Sequence, residues 1–197
     1  MSAVSAPASP TVRFLFQPLT GTRTADALLV AGGAGLTALC AQIAIPVPGS
    51  PVPITGQTFA VLLVSAALGL RRGVASMGLY LVLGLIGLPV YSDASSGMHV
   101  VLGATGGYLV GFVLAAAAMG WAAERGWDRT PLKALPLFLL GQLVIFGIGV
   151  PWLAVAAHLG PSAAVAAGFT PFLLGGLVKG ALASALLPLA WRISRHG

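Results

Sequence analysis

Charged side chains are scarce in this 197-residue chain: 7% of its residues are Asp, Glu, Lys or Arg, whereas 57% are hydrophobic. A soluble globular domain carries about 25% charged residues. This deficit excludes a water-soluble enzyme with a polar surface. It also excludes intrinsic disorder of the whole chain, because disorder requires low hydrophobicity and high charge. With a mean hydropathy of +0.97, an integral membrane protein of one domain remains.

Cysteine and the common catalytic motifs are also nearly or wholly lacking. The single cysteine, Cys40, excludes an internal disulfide and a cysteine-based metal site. The three histidines, His99, His158 and His196, are far apart in the chain. The sequence contains no phosphate-binding loop of the form Gly-x-x-x-x-Gly-Lys-Ser/Thr and no nucleophile or zinc-protease motif. We therefore expect no catalytic residue, no metal and no cofactor.

Six apolar segments have roughly the 17–25 residues that cross a hydrocarbon core. A spanning segment in lipid must be a helix or part of a closed barrel, and these segments predict helices. The second is short and is expected to borrow turns from the proline-rich stretch before it; Thr170 and Pro171 predict a separate turn at the start of the sixth. The segments are residues 25–45, 57–70, 73–90, 104–123, 132–157 and 163–190.

Basic residues alternate from one connection to the next. With six spans, nine of the ten Lys and Arg residues fall on one side of the membrane, and the loops 46–56, 91–103 and 159–162 contain none. The positive-inside rule places the basic side in the cytoplasm. The prediction is an all-α membrane protein, a compact bundle of six transmembrane helices with both termini cytoplasmic. Residues 1–24 are expected to form a disordered cytoplasmic tail without a cleavable signal peptide, residues 25–190 the six-helix transmembrane domain, and residues 191–197 a basic cytoplasmic tail.

The basic residues stand singly or in twos and threes, so they do not form the stripe that binds nucleic acid. The loops without Lys or Arg are rich in Pro, Gly and Ser, and loops on a rigid scaffold often carry function. We expect the ligand side to face outward, although these loops could also be ordinary linkers.

Lys179 is the tenth basic residue and lies within the sixth segment. Along a helix it stands about 19 Å from Arg192 and about 12 Å from Pro171. None of the four acids, Asp26, Asp93, Glu124 and Asp128, lies in the interior of a span, because Asp26 is only the second residue of the first. A charged side chain at this depth is costly and marks a functional site by default. We expect Lys179 to meet backbone carbonyls, water, Asp93 or an incoming carboxylate, and so to form a site for a small anion; a water-bridged lysine without a ligand is the alternative.

Polar residues at the outer ends of two spans extend this site. Thr55-Gly56-Gln57-Thr58 opens the second span and Thr105-Gly106-Gly107-Tyr108 opens the fourth. Helix N-termini offer free N–H donors, glycines permit close approach, and Tyr108 offers a flat face with a hydroxyl. The alternatives are N-capping by the threonines and a helix–helix hydrogen bond from Gln57.

Small residues recur at four-residue spacing, which permits close helix packing in membranes. Most of these pairs are expected to pack internally, whereas an exposed set could dock a partner helix. The pairs are Ala27 with Ala31, Ala34 with Ala38, Gly107 with Gly111, and Gly176 with Gly180.

These residues carry a resemblance that covers nearly everything from the first span to the C-terminus. Residues 51–63, 68–73, 80–91, 105–112, 149–153 and 171–179, taken in order, resemble the BioY family, the substrate-capture (S) subunits of energy-coupling-factor biotin transporters. The resemblance implies a six-helix domain in the cell membrane that captures biotin from outside, together with a membrane coupling subunit and two ATP-binding subunits.

The resemblance also implies residue roles. Lys179 would stand near the biotin carboxylate, Tyr91 and residues 105–108 would help close the site, and Ala27, Ala31, Ala34 and Ala38 would face the coupling subunit. The family pattern reads Pro-Phe-x-Pro-Gly-Asp-x-x-Lys, and here Leu174 and Gly176 replace its second Pro and its Asp. This departure is expected to leave a vacancy beside Lys179. A different small carboxylate vitamin, or a membrane assembly subunit without a ligand, remains the alternative function.

Overall fold

The computed structural model describes Leu15 and residues 21–194. Most of the predicted N-terminal tail and the end of the basic C-terminal tail therefore lie outside the described residues. The described elements are α1 (Arg23–Ala41), β1 (Ala44–Ile45), β2 (Ile54–Thr55), α2 (Gln57–Leu85), a 3₁₀ turn (Ser92–Ala94), α3 (Met98–Leu102), α4 (Gly106–Glu124), α5 (Pro131–Ala156), α6 (Pro161–Gly168) and α7 (Phe172–Ser194).

Helices dominate the described part of the chain, in which five are long and apolar enough to cross a membrane: α1, α2, α4, α5 and α7. Four of them correspond to predicted segments with shifts of a few residues at most ends. The fifth, α2, covers two predicted segments at once, residues 57–70 and 73–90.

Helix α2 reverses its direction at Gly69, where the backbone leaves the helical region (φ 78°, ψ −178°). A Cβ atom added to Gly73 would lie 3.0 Å from the Cα of Ser65. The Gln57 side chain donates a hydrogen bond to the Tyr80 hydroxyl at 2.5 Å, although these residues would stand about 35 Å apart on one straight helix. Its two halves are therefore antiparallel neighbours.

Side-chain capping supports this reversal. The Leu70 N–H, one of the first free donors of the second half, is bound by Glu124 Oε1 at 2.9 Å. Gly120 of α4 lies against the same point, because a Cβ added there would be 2.5 Å from the Cα of Leu70. The C-terminal end of α4 thus stabilises the reversal of α2 at Gly69.

The connections differ from the prediction in two places. The proline-rich stretch adds no helical turns to α2; it joins β1 to β2 in a short antiparallel pair, with Ala44 opposite Thr55, so the prediction there was wrong. The last segment is divided as expected, into α6 and α7, because residues 169–171 interrupt the helix and Pro171 cannot continue it.

The centre of the bundle is α4, which packs between α2 and α5, while α1 lies against α2 and α7 against α5. Gly111 permits the close approach of α4 and α5, because a Cβ there would lie 3.1 Å from the Cα of Ile145. This matches the expectation that most small-residue pairs serve internal packing.

The two ends of the bundle differ in chemistry. At one end Arg72 pairs with Asp26 at 2.8 Å, and Arg125 stacks on Trp121 with its guanidinium carbon 3.7 Å from the ring centre. The opposite end carries the loops without Lys or Arg, and the candidate site lies beneath them.

Candidate ligand-binding site

A small cavity of about 40 Å³ lies beneath the loops that lack Lys and Arg, where the ends of α2, α4, α5 and α7 meet. Most of its wall is apolar or aromatic, and Lys179 is its cation. The lining residues are Val52, Pro53, Thr55, Gln57, Thr58, Tyr91, Ser92, Val100, Thr105, Tyr108, Leu109, Phe112, Phe146, Phe172 and Lys179.

The half-buried Lys179 reaches from α7 to the first turn of α2. Its Nζ donates hydrogen bonds to the Thr55 carbonyl oxygen at 2.5 Å and to the Thr58 hydroxyl at 3.0 Å. None of the carboxylates in the described part of the chain forms an ion pair with it. Because an ammonium has three N–H donors, these neutral acceptors leave one donor and the full charge for a ligand.

Asp93, the acid expected as one candidate partner of Lys179, lies elsewhere. It sits exposed in the 3₁₀ turn with φ 55° and lines a separate outer cleft beside His99 and Pro53. Lys179 meets a backbone carbonyl instead, which was another of the expected partners.

The start of α2 is organised by side-chain contacts other than capping. Gly56 is the N-cap residue and has no side chain that could cap the helix. Thr55 Oγ1 instead donates to Gln57 Oε1 at 2.8 Å, so N-capping by Thr55 was wrong. The Gln57 amide then donates to Tyr80, the helix–helix bond that was the alternative for this residue. Thr55 and Gln57 both line the cavity.

Two tyrosines form walls of the cavity while their hydroxyls are bonded to backbone. The Tyr91 hydroxyl donates to the Leu81 carbonyl at 2.6 Å, and the Tyr108 hydroxyl donates to the Gly168 carbonyl at 2.8 Å. Burial raises the pKa of the Tyr91 phenol above its usual value. Both side chains therefore present aromatic faces to the cavity, and the hydroxyl expected from Tyr108 is already engaged.

The segment that opens α4 divides into one lining residue and two packing residues. Thr105 lines the cavity, although it makes no capping bond to α4. Gly106 and Gly107 are buried and do not line it. A Cβ at Gly106 would collide with the Val101 carbonyl oxygen of α3, and one at Gly107 would collide with the Trp152 side chain of α5. These glycines therefore bring the start of α4 close to α3 and α5.

The vacancy expected beside Lys179 does not exist. Gln142 of α5, only 5% exposed, occupies the space next to Gly176. Its Nε2 donates to the Gly176 carbonyl at 2.7 Å, and a Cβ atom added to Gly176 would collide with Gln142 Oε1. Gln142 is a polar residue that the sequence analysis missed. The sequence feature that could have revealed it is a single amide side chain within an otherwise apolar span.

The aromatic wall was also missed. Phe112, Phe146 and Phe172 come from three helices, with the Phe146 ring centre 5.9 Å from that of Phe172 and 6.2 Å from that of Tyr108. Thr58 belongs to the polar run that was expected to extend the site, but its hydrogen bond with Lys179 was not predicted. The three phenylalanines differ little in sequence from apolar residues that face lipid.

The predicted partner-binding residues of α1 occupy different environments. Ala27 and Ala31 are exposed, Ala34 is 2% exposed in the core, and Ala38 packs against the core. Only 22% of the apolar stretch of α1 is buried, against 39–67% in the other four long helices. Helix α1 therefore offers the most open face of the described bundle.

The arrangement suits binding better than catalysis. One cation stands at the edge of an aromatic cavity, which fits a small molecule with a carboxylate and an apolar body. No group of three His, Cys, Asp or Glu side chains that could hold a metal ion occurs in the described part of the chain.

Comparisons with known proteins agree with this description. A family model described as the BioY family matches residues 11–196. The chain is 35% identical over 167 residues to "Biotin transporter BioY2" of Lactococcus lactis subsp. cremoris, covering 83% of this chain and 88% of that protein. It is 37% identical over 155 residues to "Probable biotin transporter BioY" of Pyrococcus horikoshii, covering 79% of this chain and 89% of that protein.

A solved structure shows the same fold. It is the crystal structure of the S-component for biotin from an ECF-type ABC transporter, with a TM-score of 0.74 and 23% identity over 90% of this chain and 96% of that chain. The apolar helices and the transporter relatives together make this a multi-pass protein of the cell membrane. The match over almost the whole length shows that the chain belongs to the BioY family.

Proposed function

We propose that this chain is the biotin-capture subunit of an energy-coupling-factor importer, which binds biotin from outside the cell. The observation that carries the proposal is the Lys179 ammonium at the edge of an aromatic cavity, held only by neutral acceptors among the described residues. The names of the relatives, biotin transporters, support the choice of vitamin.

The chemistry of the cavity favours a carboxylate with an apolar body. A buried ammonium without a counter-ion is costly in a membrane, and a carboxylate beside it offsets that cost. Phe112, Phe146 and Phe172 would cover the apolar part of the ligand. We assign ligand contact to Lys179, Thr55, Gln57, Tyr91, Thr105 and Tyr108, while Gly106, Gly107 and Gly176 act through close packing.

We propose six spans with both termini in the cytoplasm, each half of α2 counting as one pass. The antiparallel contacts within α2 support this count. The basic residues near the end that holds Arg72 and Arg125 support its cytoplasmic orientation.

We propose a membrane coupling subunit and two ATP-binding subunits as partners, besides the lipid bilayer. The chain has no phosphate-binding loop of its own, so ATP hydrolysis would belong to other subunits. The exposed face of α1, with Ala27 and Ala31, is the proposed contact with the coupling subunit.

Titration of the purified protein with biotin, by calorimetry in detergent or nanodiscs, tests this function. We expect saturable binding that Lys179→Ala weakens by roughly 10- to 100-fold, because a hydrogen bond to a charged group contributes about 1.5–3 kcal/mol. Lys133→Ala, which removes the exposed lysine of α5, is the matched control and should bind like the unchanged protein. Equal affinity of the Lys179→Ala protein would contradict the proposal.

A different small carboxylate vitamin is the second candidate, and Gly176 in place of the family's Asp favours it. Competition of labelled biotin by other carboxylate vitamins separates the two. A ligand-free assembly subunit would show no saturable binding of any of them.

A further inference from the structure

The outer cleft that contains Asp93 adjoins the candidate site. Sites for small molecules enclose about 300–1,000 Å³, whereas the cavity beside Lys179 offers about 40 Å³. A ligand of the proposed kind therefore fits only after part of the wall moves. The outer cleft has a volume of about 280 Å³ and shares one wall with the cavity. The residues of this shared wall are Pro53, Ser92, Val100 and Thr105.

Residues 92–96, the outer turn, lie between two attachments to α2. On one side, the Tyr91 hydroxyl donates to the Leu81 carbonyl oxygen, and a Cβ atom at Gly84 would collide with the Tyr91 ring. On the other side, the Gly97 N–H donates to the Gly84 carbonyl oxygen at 2.7 Å. The outer turn can therefore move while both of its ends stay attached to α2.

The backbone of the outer turn is strained. Asp93 and Ala94 have φ values of 55° and 53°, which residues other than glycine keep only where surrounding contacts hold them. The Ser95 N–H and hydroxyl both donate to the Ser92 carbonyl oxygen. These bonds lie within the turn, so they do not attach it to the rest of the protein.

Gln42, the C-cap residue of α1, supplies a contact from outside. Its Oε1 accepts a hydrogen bond from the Ala94 N–H at 3.0 Å, and its Nε2 donates to the Tyr91 carbonyl oxygen at 3.2 Å. Nε2 also donates to the Ala38 carbonyl oxygen of α1 at 2.9 Å. In the part of the chain that the structure describes, no other element forms a hydrogen bond with residues 92–96. One amide thus joins both sides of the strained segment to the end of α1.

We infer that Gln42 is a positioning residue that holds the outer turn closed, and that the ligand enters and leaves through the outer cleft, past Ser92 and Pro53. This inference rests on the proposed function, because it concerns the same site. Gln42 lines neither the cavity nor the cleft. It therefore acts on the opening of the turn rather than on contacts with the ligand.

A residue that keeps the turn closed both with and without ligand slows entry and exit alike. Gln42→Ala should therefore raise the association and dissociation rate constants of biotin, each by roughly 2- to 10-fold, the value of one hydrogen bond. The affinity should change by less than either rate constant. Rapid filtration with radiolabelled biotin on the purified protein measures both rates. Ile43→Ala removes the exposed side chain of the next residue and should alter neither.

Thiol labelling measures opening of the turn without any ligand. Cys40 is the only cysteine of the chain, so the double substitution Cys40→Ser and Ser92→Cys leaves one thiol, in the shared wall. Adding Gln42→Ala to this protein should raise the rate of modification by a maleimide by roughly 2- to 10-fold. Adding Ile43→Ala instead should not.

An unchanged labelling rate after Gln42→Ala overturns the inference. So does a loss of biotin affinity without a faster association, because Gln42 would then shape the site rather than hold the turn closed. If the unchanged protein does not bind biotin, the proposed function fails, and the labelling rates alone decide whether Gln42 holds the turn.

Discussion

At the residue scale, Lys179 depends on the side chain that receives its second hydrogen bond. Thr58 accepts at 3.0 Å from the first turn of α2, and together with the Thr55 carbonyl it fixes the ammonium in the cavity. Thr58 therefore acts as a positioning residue for the cation.

Replacing Thr58 isolates that contribution. Thr58→Val keeps the shape and removes the acceptor, so we expect biotin affinity to fall by roughly 2- to 10-fold, the value of one hydrogen bond. Thr58→Ser keeps the hydroxyl and should retain affinity. Calorimetry on both proteins measures the difference, and equal loss in the two would point to packing rather than to the hydrogen bond.

Asp128 is the second residue with an unusual setting. It is fully buried at the basic end, where Oδ2 accepts a hydrogen bond from Trp191 Nε1 at 2.6 Å. Burial raises the pKa of its carboxyl, although the Trp191 bond and the nearby Arg129 oppose the shift. The folded protein therefore holds this proton to a higher pH than the unfolded chain does.

The sign of the pH dependence follows from that difference. Above the unfolded pKa of about 3.9, the free energy of unfolding should fall as pH rises through the raised folded pKa. Asp128→Asn should remove this fall, since the amide oxygen still accepts from Trp191. Thermal unfolding from pH 4 to pH 7 measures it, with the exposed Asp93→Asn as a control that should keep the slope of the unchanged protein.

At the element scale, α2 depends on one backbone conformation. Gly69 has φ 78° and ψ −178°, a region that residues with a Cβ atom avoid. The reversal lets Tyr80 accept a hydrogen bond from Gln57, a residue that lines the cavity.

Two glycines of α2 make a matched test of this turn. Gly69→Ala should lower the free energy of unfolding by about 1–3 kcal/mol. Gly78→Ala lies in regular helix with nothing within 4 Å of the new methyl group, and it should be neutral or stabilising by up to about 1 kcal/mol. Thermal unfolding in detergent compares the two, and similar effects would show that the Gly69 backbone is not restrictive.

Hydropathy predicted most helices of the described chain because a membrane span must be long and apolar. It predicted both halves of α2, yet it placed extra helical turns in residues 46–53. Proline and glycine there interrupt helical hydrogen bonding, and the flanking residues pair as β1 and β2 instead.

At the scale of the whole molecule, α1 has the smallest buried share among the five long helices of the described chain. Ala27 and Ala31 lie on its open face, whereas Ala34 is in the core. Small exposed residues permit close approach of a partner helix in lipid. Of the four alanines expected to contact the coupling subunit, only Ala27 and Ala31 are therefore proposed to do so.

A bulky substitution on the exposed face of α1 distinguishes binding of the coupling subunit from binding of biotin. Ala31→Trp should abolish co-purification with a coupling subunit and leave biotin affinity unchanged, because no residue of α1 lines the cavity. Ala75→Trp, also an exposed alanine but on α2, should preserve both properties. Normal assembly of the Ala31→Trp protein would show that the partner docks elsewhere.

The candidate site was predictable in part. Lys179 stood out because a cation in an apolar span is rare and costly, and Thr55, Gln57, Tyr91, Thr105 and Tyr108 were expected near it. Gln142 and the three phenylalanines were not expected. These helices are hydrophobic on all sides, so the sequence does not distinguish a face toward the cavity from a face toward lipid.

The sequence by itself determined the membrane class, the difference between the two ends and the family, because hydropathy, charge and motif order can be read along the chain. Only the tertiary structure decided that Gly69 brings Tyr80 to Gln57 and that Gln142 fills the space beside Gly176. It also decided that the tyrosine hydroxyls bond to backbone carbonyls rather than face a ligand. These are contacts between residues 10 to 60 positions apart, and they depend on how the helices turn toward one another.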